Sequence, residues 1–182
     1  MKLLLTSAIL CFVFSSAYSQ KTYIPDPNFE NALIFEGIDD VLDDSVLTSA
    51  IDTLTFLDLE PFRITDLTGI EAFTSLASLN CANNNISNLD VSSNTSLNYL
   101  FCTANNLSVI DVSSNLALTH LHCALNNLTV LDVSNNSALI SLQCDRNSLT
   151  ELDVSTNTAL TEVWSFSNNL SVFKSLITPQ RE

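Results

Sequence analysis

Two histidines are the residues of this sequence whose spacing most directly suggests catalytic chemistry. His120 and His122 are the only histidines, and the alternation of side chains along a β-strand puts both imidazoles on one face. Two histidines on one face of a strand can supply two zinc ligands. Asp145 or Glu162 would have to supply the third. The pattern supports metal-assisted hydrolysis as the enzyme hypothesis, although no G-x-S-x-G or H-E-x-x-H motif occurs.

Four cysteines recur at a constant spacing of 21 residues: Cys81, Cys102, Cys123 and Cys144. A metal site needs ligands that converge from different directions, typically from C-x-x-C pairs. These cysteines instead take the same inward position on successive strands. In-register parallel strands also offer poor disulfide geometry. We therefore expect buried free thiols that pack as small apolar side chains.

The composition excludes several classes of function. The chain has 182 residues, with 20 acidic side chains against 6 basic ones and a net charge of −14. Phosphate binding needs clustered Lys and Arg, so nucleic acid and anionic lipid are disfavoured as partners. Only 2 glycines are present, which leaves no Gly-rich phosphate cradle. We expect no cofactor.

The N-terminus has the pattern of an export signal. Lys2 precedes an apolar stretch over residues 3–14, and Ala17-Tyr18-Ser19 provides small residues for cleavage. The stretch is too short to cross a bilayer, which takes about 20 residues. We interpret residues 1–19 as a signal peptide, so that the mature chain starts at Gln20. The protein is then secreted or placed at the cell surface, without membrane insertion.

The cysteine spacing belongs to a repeat of 21 residues. Residues 95–115 read TSLNYLFCTANNLSVIDVSSN, and closely similar units cover 74–94, 116–136 and 137–157. A looser copy precedes them from Leu54, and a fifth, incomplete one starts at Thr158. Within a unit, Leu100 and Cys102 point inward while Tyr99, Phe101 and Thr103 face outward. Stacked units bury a continuous apolar column beneath a six-stranded parallel sheet.

These units resemble leucine-rich repeats over residues 54–178, as about five to six repeats. They are most similar to the Cys-bearing, LDVSxN-bearing repeats of secreted, internalin-like proteins of Bacteroidota. The resemblance implies an α/β solenoid with a curved parallel β-sheet on its concave side and short turns or extended chain on its convex side. Members commonly carry a C-terminal sorting domain, whereas here a tail, residues 179–182, follows. A structural or truncated fragment of a larger surface adhesin is therefore an alternative.

Polar residues recur at fixed phases of the unit. Asn84, Asn105, Asn126, Asn147 and Asn168 form one series, and Asn94, Asn115, Asn136 and Asn157 form another. We predict that both series bond the backbone at corners where the chain turns. Asp90, Asp111, Asp132 and Asp153 form a third series. Asx-type capping is expected there, and calcium between the carboxylates is the alternative.

A small helical cap is predicted over residues 20–53. Asp26 stands at the N-cap of a short helix, Pro27 at its first position and Gly37 just beyond its end. The cap is rich in acids but lacks the spacing of a calcium loop. We expect a solvated acidic surface.

The outward strand positions carry the functional hypothesis. Aromatic and polar side chains collect on the concave face at Tyr99, Phe101, His120, His122, Gln143, Asp145, Trp164 and Phe166. Exposed aromatics in the centre of a face are typical anchors of a binding surface, although Trp164 and Phe166 are also placed to plug the C-terminal end. We predict a monomeric binding module without catalysis, whose ligand is a protein or a glycan.

Overall fold

The computed structural model describes residues 19–175, a stack of turns with a small cap at the N-terminal end. The predicted signal peptide (except Ser19) and the tail at 179–182 lie outside the described residues. The elements, in chain order, are β1 (Lys21–Tyr23), α1 (Pro27–Phe35), β2 (Ser45–Leu47), α2 (Thr48–Ile51), β3 (Phe56–Asp58), a 3-10 helix (Ile70–Ala72), β4 (Ser78–Asn80), β5 (Tyr99–Phe101), β6 (His120–His122), β7 (Ser141–Gln143), β8 (Glu151–Asp153), β9 (Glu162–Trp164) and β10 (Val172–Lys174).

A six-stranded parallel sheet runs along the stack in the order β3-β4-β5-β6-β7-β9. Each turn contributes one strand, so that Leu100 pairs with Leu79 before it and Leu121 after it. The step from Leu57 to Leu79 is one residue longer than the others, and the register still holds. The predicted solenoid and its strand phase are confirmed.

The core is a continuous column of apolar side chains beneath this sheet. The inward strand positions Leu57, Leu79, Leu100, Leu121 and Leu142 are all fully buried or nearly so, and the leucines and valines of the other inward phases join the same cluster. Burial of such a side chain contributes roughly 1.5–3 kcal/mol. A single turn has no partner for its apolar face, so stability comes from the stacking of neighbours.

The side of the stack opposite the sheet is extended chain. β8 and β10 form a short parallel pair there, and an isolated bridge joins Asp90 to Asp111. In residues 52–175 the 3-10 helix Ile70–Ala72 is the only helical element. This agrees with the predicted short, turn-rich convex side.

The cap helix begins and ends as the sequence predicts. Asp26 accepts hydrogen bonds from the N–H groups of Asn28 and Phe29, at 2.8 and 3.2 Å. Gly37 follows the helix in the left-handed conformation, with φ 71°, which ends the helix at low steric cost. Phe29 is buried and its ring lies 6.1 Å from that of Phe73, so the helix closes the end of the apolar column.

The prediction of a fully solvated acidic cap is wrong for two of its acids. Asp26 and Glu30 are buried, and each carboxylate accepts hydrogen bonds from backbone N–H groups, which offset the loss of water. Glu30 Oε1 accepts from the N–H groups of Asp43 and Ser45, at 2.8 and 3.0 Å. It thereby fixes the segment that leads into β2. The antiparallel pairing of β1 with β2 completes the cap.

Candidate functional site

The parallel register places four aromatic rings of the outward sheet face side by side. Tyr99 pairs with His120, and Phe101 pairs with His122. Because alternate residues of a strand share a face, the two residues of each strand lie two positions apart on the same side. The result is an array of two rings by two, which we call the ring array (Tyr99, Phe101, His120, His122).

The rings of the array are in contact across the strands. The centroids of Tyr99 and His120 are 4.7 Å apart, with their planes 23° from parallel. Those of Phe101 and His122 are also 4.7 Å apart, at 55°. Along each strand the spacing is wider, at 6.3 Å for Tyr99–Phe101 and 6.4 Å for His120–His122. Tyr99 remains 42% exposed, so the array offers a preformed apolar surface to solvent.

A chain of hydrogen bonds links the array to the last strand of the sheet. His122 Nε2 lies 3.4 Å from Ser141 Oγ, which donates to Glu162 Oε2 at 3.0 Å. The other carboxylate oxygen, Glu162 Oε1, accepts from the indole Nε1–H of Trp164 at 2.8 Å. Both oxygens of Glu162 are therefore held by neutral donors. The spacing of these residues in the sequence does not indicate this series of hydrogen bonds, because the bonds depend on side-chain orientations across three strands.

Trp164 and Phe166 form a second aromatic pair at the C-terminal end of the face. Their ring centroids are 6.3 Å apart and their planes are 42° from parallel. Trp164 is 45% exposed and Phe166 is 51% exposed. Both rings are thus available to a ligand, and Gln143 pairs with Trp164 in the adjacent strand.

Asp145 differs from the other predicted site residues. It was expected among the outward, exposed positions, but it is only 7% exposed. Burial raises the pKa of its carboxyl group, and the neighbouring Arg146 opposes this, with its Nε 4.0 Å from Asp145 Oδ2.

The two histidines lie on one face, as the zinc hypothesis requires, but they are engaged by other groups. Thr119 Oγ1 lies 3.0 Å from His120 Nδ1, and Ser141 lies beside His122. Partial burial lowers the pKa of His122, His120 adds to the effect, and Glu162 works against it. Within residues 19–175, no three His, Cys, Asp or Glu side chains converge to hold a metal. The described geometry thus provides no third ligand for the pair.

The four cysteines form a buried column in the core, as the sequence predicts. Cys81, Cys102, Cys123 and Cys144 are buried free thiols. Burial raises the pKa of Cys81 and of Cys144 to about 12, and those of Cys102 and Cys123 are also well above the usual value. The thiolate is the reactive form, so these side chains pack rather than react.

The asparagine series bond the backbone at the corners, as predicted, and the structure adds that they also reach the preceding turn. Asn126 Nδ2 donates to the carbonyls of Cys102, Cys123 and Ala124, and its Oδ1 accepts from the N–H of Leu107. The second series repeats another pattern, in which Asn115 Nδ2 donates to Val91 and Asn94. These asparagines join each turn to the one before it.

At each corner held by the first asparagine series, the residue just before the asparagine has a positive φ. The sequence did not indicate which residue of the corner would adopt this conformation. The positive-φ residues at this phase are Asn83, Ala104, Leu125, Arg146 and Ser167, with φ of 53–56°. Non-Gly residues occupy this region at a steric cost. The only available signal was the Asn at position 83, a residue type that tolerates this conformation.

The aspartate series caps turns on the solvated side. Asp90, Asp111, Asp132 and Asp153 each accept from the N–H of the serine two residues later. Lys174 takes the next position of the series and pairs with Asp153, with its Nζ 3.0 Å from Oδ2. The predicted Asx-type capping is confirmed.

The stacked turns, the parallel sheet and the repeat phase together define a leucine-rich-repeat solenoid, and the chain is similar to parts of internalins. It is 42% identical over 74 residues to internalin J of Listeria monocytogenes; the match covers 40% of this chain and 8% of that protein. The solved functional domain of InlJ from the same organism, described as including a cysteine ladder, matches with a TM-score of 0.77 and 42% identity, over 84% of this chain and 35% of that one.

A second solved structure shows the fold alone. An internalin, InlF, of Listeria monocytogenes matches with a TM-score of 0.74 and 21% identity, over 81% of this chain and 45% of that one. No family model matches the sequence. By the coverages given above, this chain spans less than half the length of each of these relatives. None of the helices in residues 19–175 has the length and apolar character to cross a bilayer.

Proposed function

We propose that this protein is an exported binding module that captures a protein ligand on its outward sheet face, without catalysis of its own. The observation that carries the proposal is the ring array, in which Tyr99 stacks on His120 and Phe101 contacts His122. Rings that are held in place by a rigid sheet lose little conformational entropy when a ligand binds. Exposed aromatics with polar neighbours are the usual centre of a protein interface.

The relatives support this proposal at the level of the fold. Leucine-rich-repeat solenoids present extended binding surfaces, and internalin-like proteins are of this class. The Bacteroidota origin and the signal peptide at residues 1–19 stay predictions. Mass spectrometry of the protein from its native host would test export, with Gln20 as the expected first residue. An intact N-terminus at Met1 in the extracellular fraction would contradict the assigned cleavage.

The proposed surface is tested by two substitutions and a matched control. We expect the double variant Tyr99→Ala with Trp164→Ala to weaken capture of surface proteins by the immobilised chain at least tenfold, since loss of a binding hot spot costs about 2 kcal/mol or more. Tyr23→Ala removes an exposed aromatic ring from the cap and leaves the face intact. If the double variant captures as much ligand as Tyr23→Ala does, the ligand does not bind to the outward sheet face.

A further inference from the structure

We propose that the C-terminal end of the outward sheet face is a seat for an arginine side chain of the protein ligand, formed by Glu162, Trp164 and Phe166. We call these three residues the arginine seat. The inference rests on the proposed function and goes further, since it names the chemistry of the partner. It also favours a protein over a neutral glycan as the ligand.

The charge of the face is one-sided. Among its outward positions that reach solvent, Asp58, Glu60 and Glu162 are acidic, and none is Lys or Arg. A complementary ligand is therefore cationic on the side that meets this surface. Charge alone does not fix where the cation binds, so the local geometry decides the position.

Glu162 is prepared to receive a cation beside an aromatic ring. Its two oxygens accept from Ser141 Oγ at 3.0 Å and from Trp164 Nε1 at 2.8 Å. Both donors are neutral, so they orient the carboxylate without cancelling its charge. A carboxylate has about four acceptor positions, and these two bonds leave the others free. The bond to the indole also fixes Trp164 next to the charge.

The aromatic pair suits a planar cation. Trp164 and Phe166 are each about half exposed, and the planes of their two rings are inclined at 42° to each other. A guanidinium group stacks on an indole face and donates two hydrogen bonds to one carboxylate, which a lysine ammonium does not match. The Asp145 carboxylate in the neighbouring turn is buried beside Arg146, so it is not counted as part of the seat. A bound guanidinium would therefore pair with Glu162.

The test uses the protein's own fluorescence, because Trp164 is its single tryptophan. The full chain is titrated with capped Gly-Gly-X-Gly-Gly peptides in which X is arginine, lysine or citrulline, at constant chloride. We expect a saturable change in Trp164 emission with arginine, a response at least several-fold weaker with lysine, and none with citrulline. Equal responses to arginine and citrulline, or to arginine and lysine, would overturn the proposal.

Two variants separate local pairing from a general charge effect. Glu162→Gln preserves the size of the side chain and an oxygen for the Trp164 N–H, and we expect it to weaken arginine binding at least fivefold. Asp58→Asn removes the same charge from the first strand of the same sheet, about 24 Å away at the usual strand spacing, and should leave binding within twofold. Equal affinity of Glu162→Gln and the wild type would overturn the proposal.

Failure of the arginine seat and failure of the proposed function give different results. If Tyr99→Ala with Trp164→Ala loses the native ligand while Glu162→Gln retains it, the face binds its ligand without the seat. If neither variant changes capture, the face is not the binding surface, and both proposals fall.

Discussion

Asp26 and Thr65, which are 39 positions apart, are joined by two hydrogen bonds of 2.7 Å to the same carboxylate oxygen, Asp26 Oδ2. The other oxygen caps helix α1. A single buried side chain thus starts the cap helix and fastens the cap to the first turn of the solenoid. Burial tends to raise its pKa, but the hydroxyl and N–H of Thr65 and the N–H groups of Asp66 and Asn28 outweigh it, so the pKa of Asp26 is lowered.

Removal of this carboxylate is expected to destabilise the protein. Asp26→Ala loses the helix cap and leaves N–H groups of Thr65 and Asp66 without their acceptor. We expect a decrease of about 2–4 kcal/mol in the free energy of unfolding, measured in urea. Asp66→Asn removes the charge of an exposed neighbour but keeps an acceptor oxygen for Thr68, and should stay within about 0.5 kcal/mol of the wild type. Similar losses for both variants would contradict the role of Asp26.

The first asparagine series is expected to be as important as an apolar core position. Asn126→Ala leaves the N–H of Leu107 without its acceptor and removes one of the two donors to each of the carbonyls of Cys102, Cys123 and Ala124, all in a buried corner. We expect a loss of about 2–4 kcal/mol in urea unfolding, whereas the exposed neighbour Asn127→Ala should be nearly neutral. A loss below about 1 kcal/mol for Asn126→Ala would show that water replaces these bonds.

The positive φ of Leu125 offers a stabilising substitution. Leu125 is exposed and has φ of 55°, a conformation that costs a branched residue roughly 1–2 kcal/mol. Asn occupies this phase at position 83 and tolerates it. Leu125→Asn should therefore raise the free energy of unfolding by about 1 kcal/mol. Leu116→Asn, at an exposed position without positive φ, serves as the comparison, and an equal gain there would refute the backbone explanation.

The four buried thiols should not react with alkylating reagents in the folded protein. Since Cys81, Cys102, Cys123 and Cys144 are buried and their pKa values are raised, iodoacetamide at pH 8 should leave them unmodified. Peptide mapping after alkylation in urea should show all four labelled. Native labelling of any one of them at the rate seen in urea would show that the corresponding turn opens.

The aspartate series should make stability depend on pH in acid. The hydroxyl and N–H of Ser155, and then Lys174, lower the pKa of Asp153 to about 2. A carboxyl group whose folded pKa lies below its unfolded value of about 3.9 stabilises the fold above that value. This contribution is lost as the pH falls from about 4 towards 2. Urea midpoints should therefore fall less steeply for Asp153→Asn than for the wild type over this range, with parallel profiles at pH 6–8.

Much of the site could be predicted because the repeat makes position a matter of phase. Tyr99 and His120 are 21 residues apart and both lie in outward positions, so their contact follows from the period and from strand alternation. The same holds for Phe101 and His122. Asp145 has an equally outward phase, yet it is buried, because exposure at the end of a strand depends on how the neighbouring turns pack around it. Periodicity carries no information about that packing.

The sequence by itself determined the solenoid, the inward and outward faces, the corner asparagines and the N-cap at Asp26, since each is a local pattern that stacking repeats from turn to turn. Only the tertiary structure decided that Asp26 also binds Thr65, that Glu30 is buried, and that Glu162 is held between Ser141 and Trp164. These contacts join segments whose separation and approach are set by the path of the chain. Their hydrogen-bond geometry depends on side-chain rotamers, which packing selects and the period of the repeat does not.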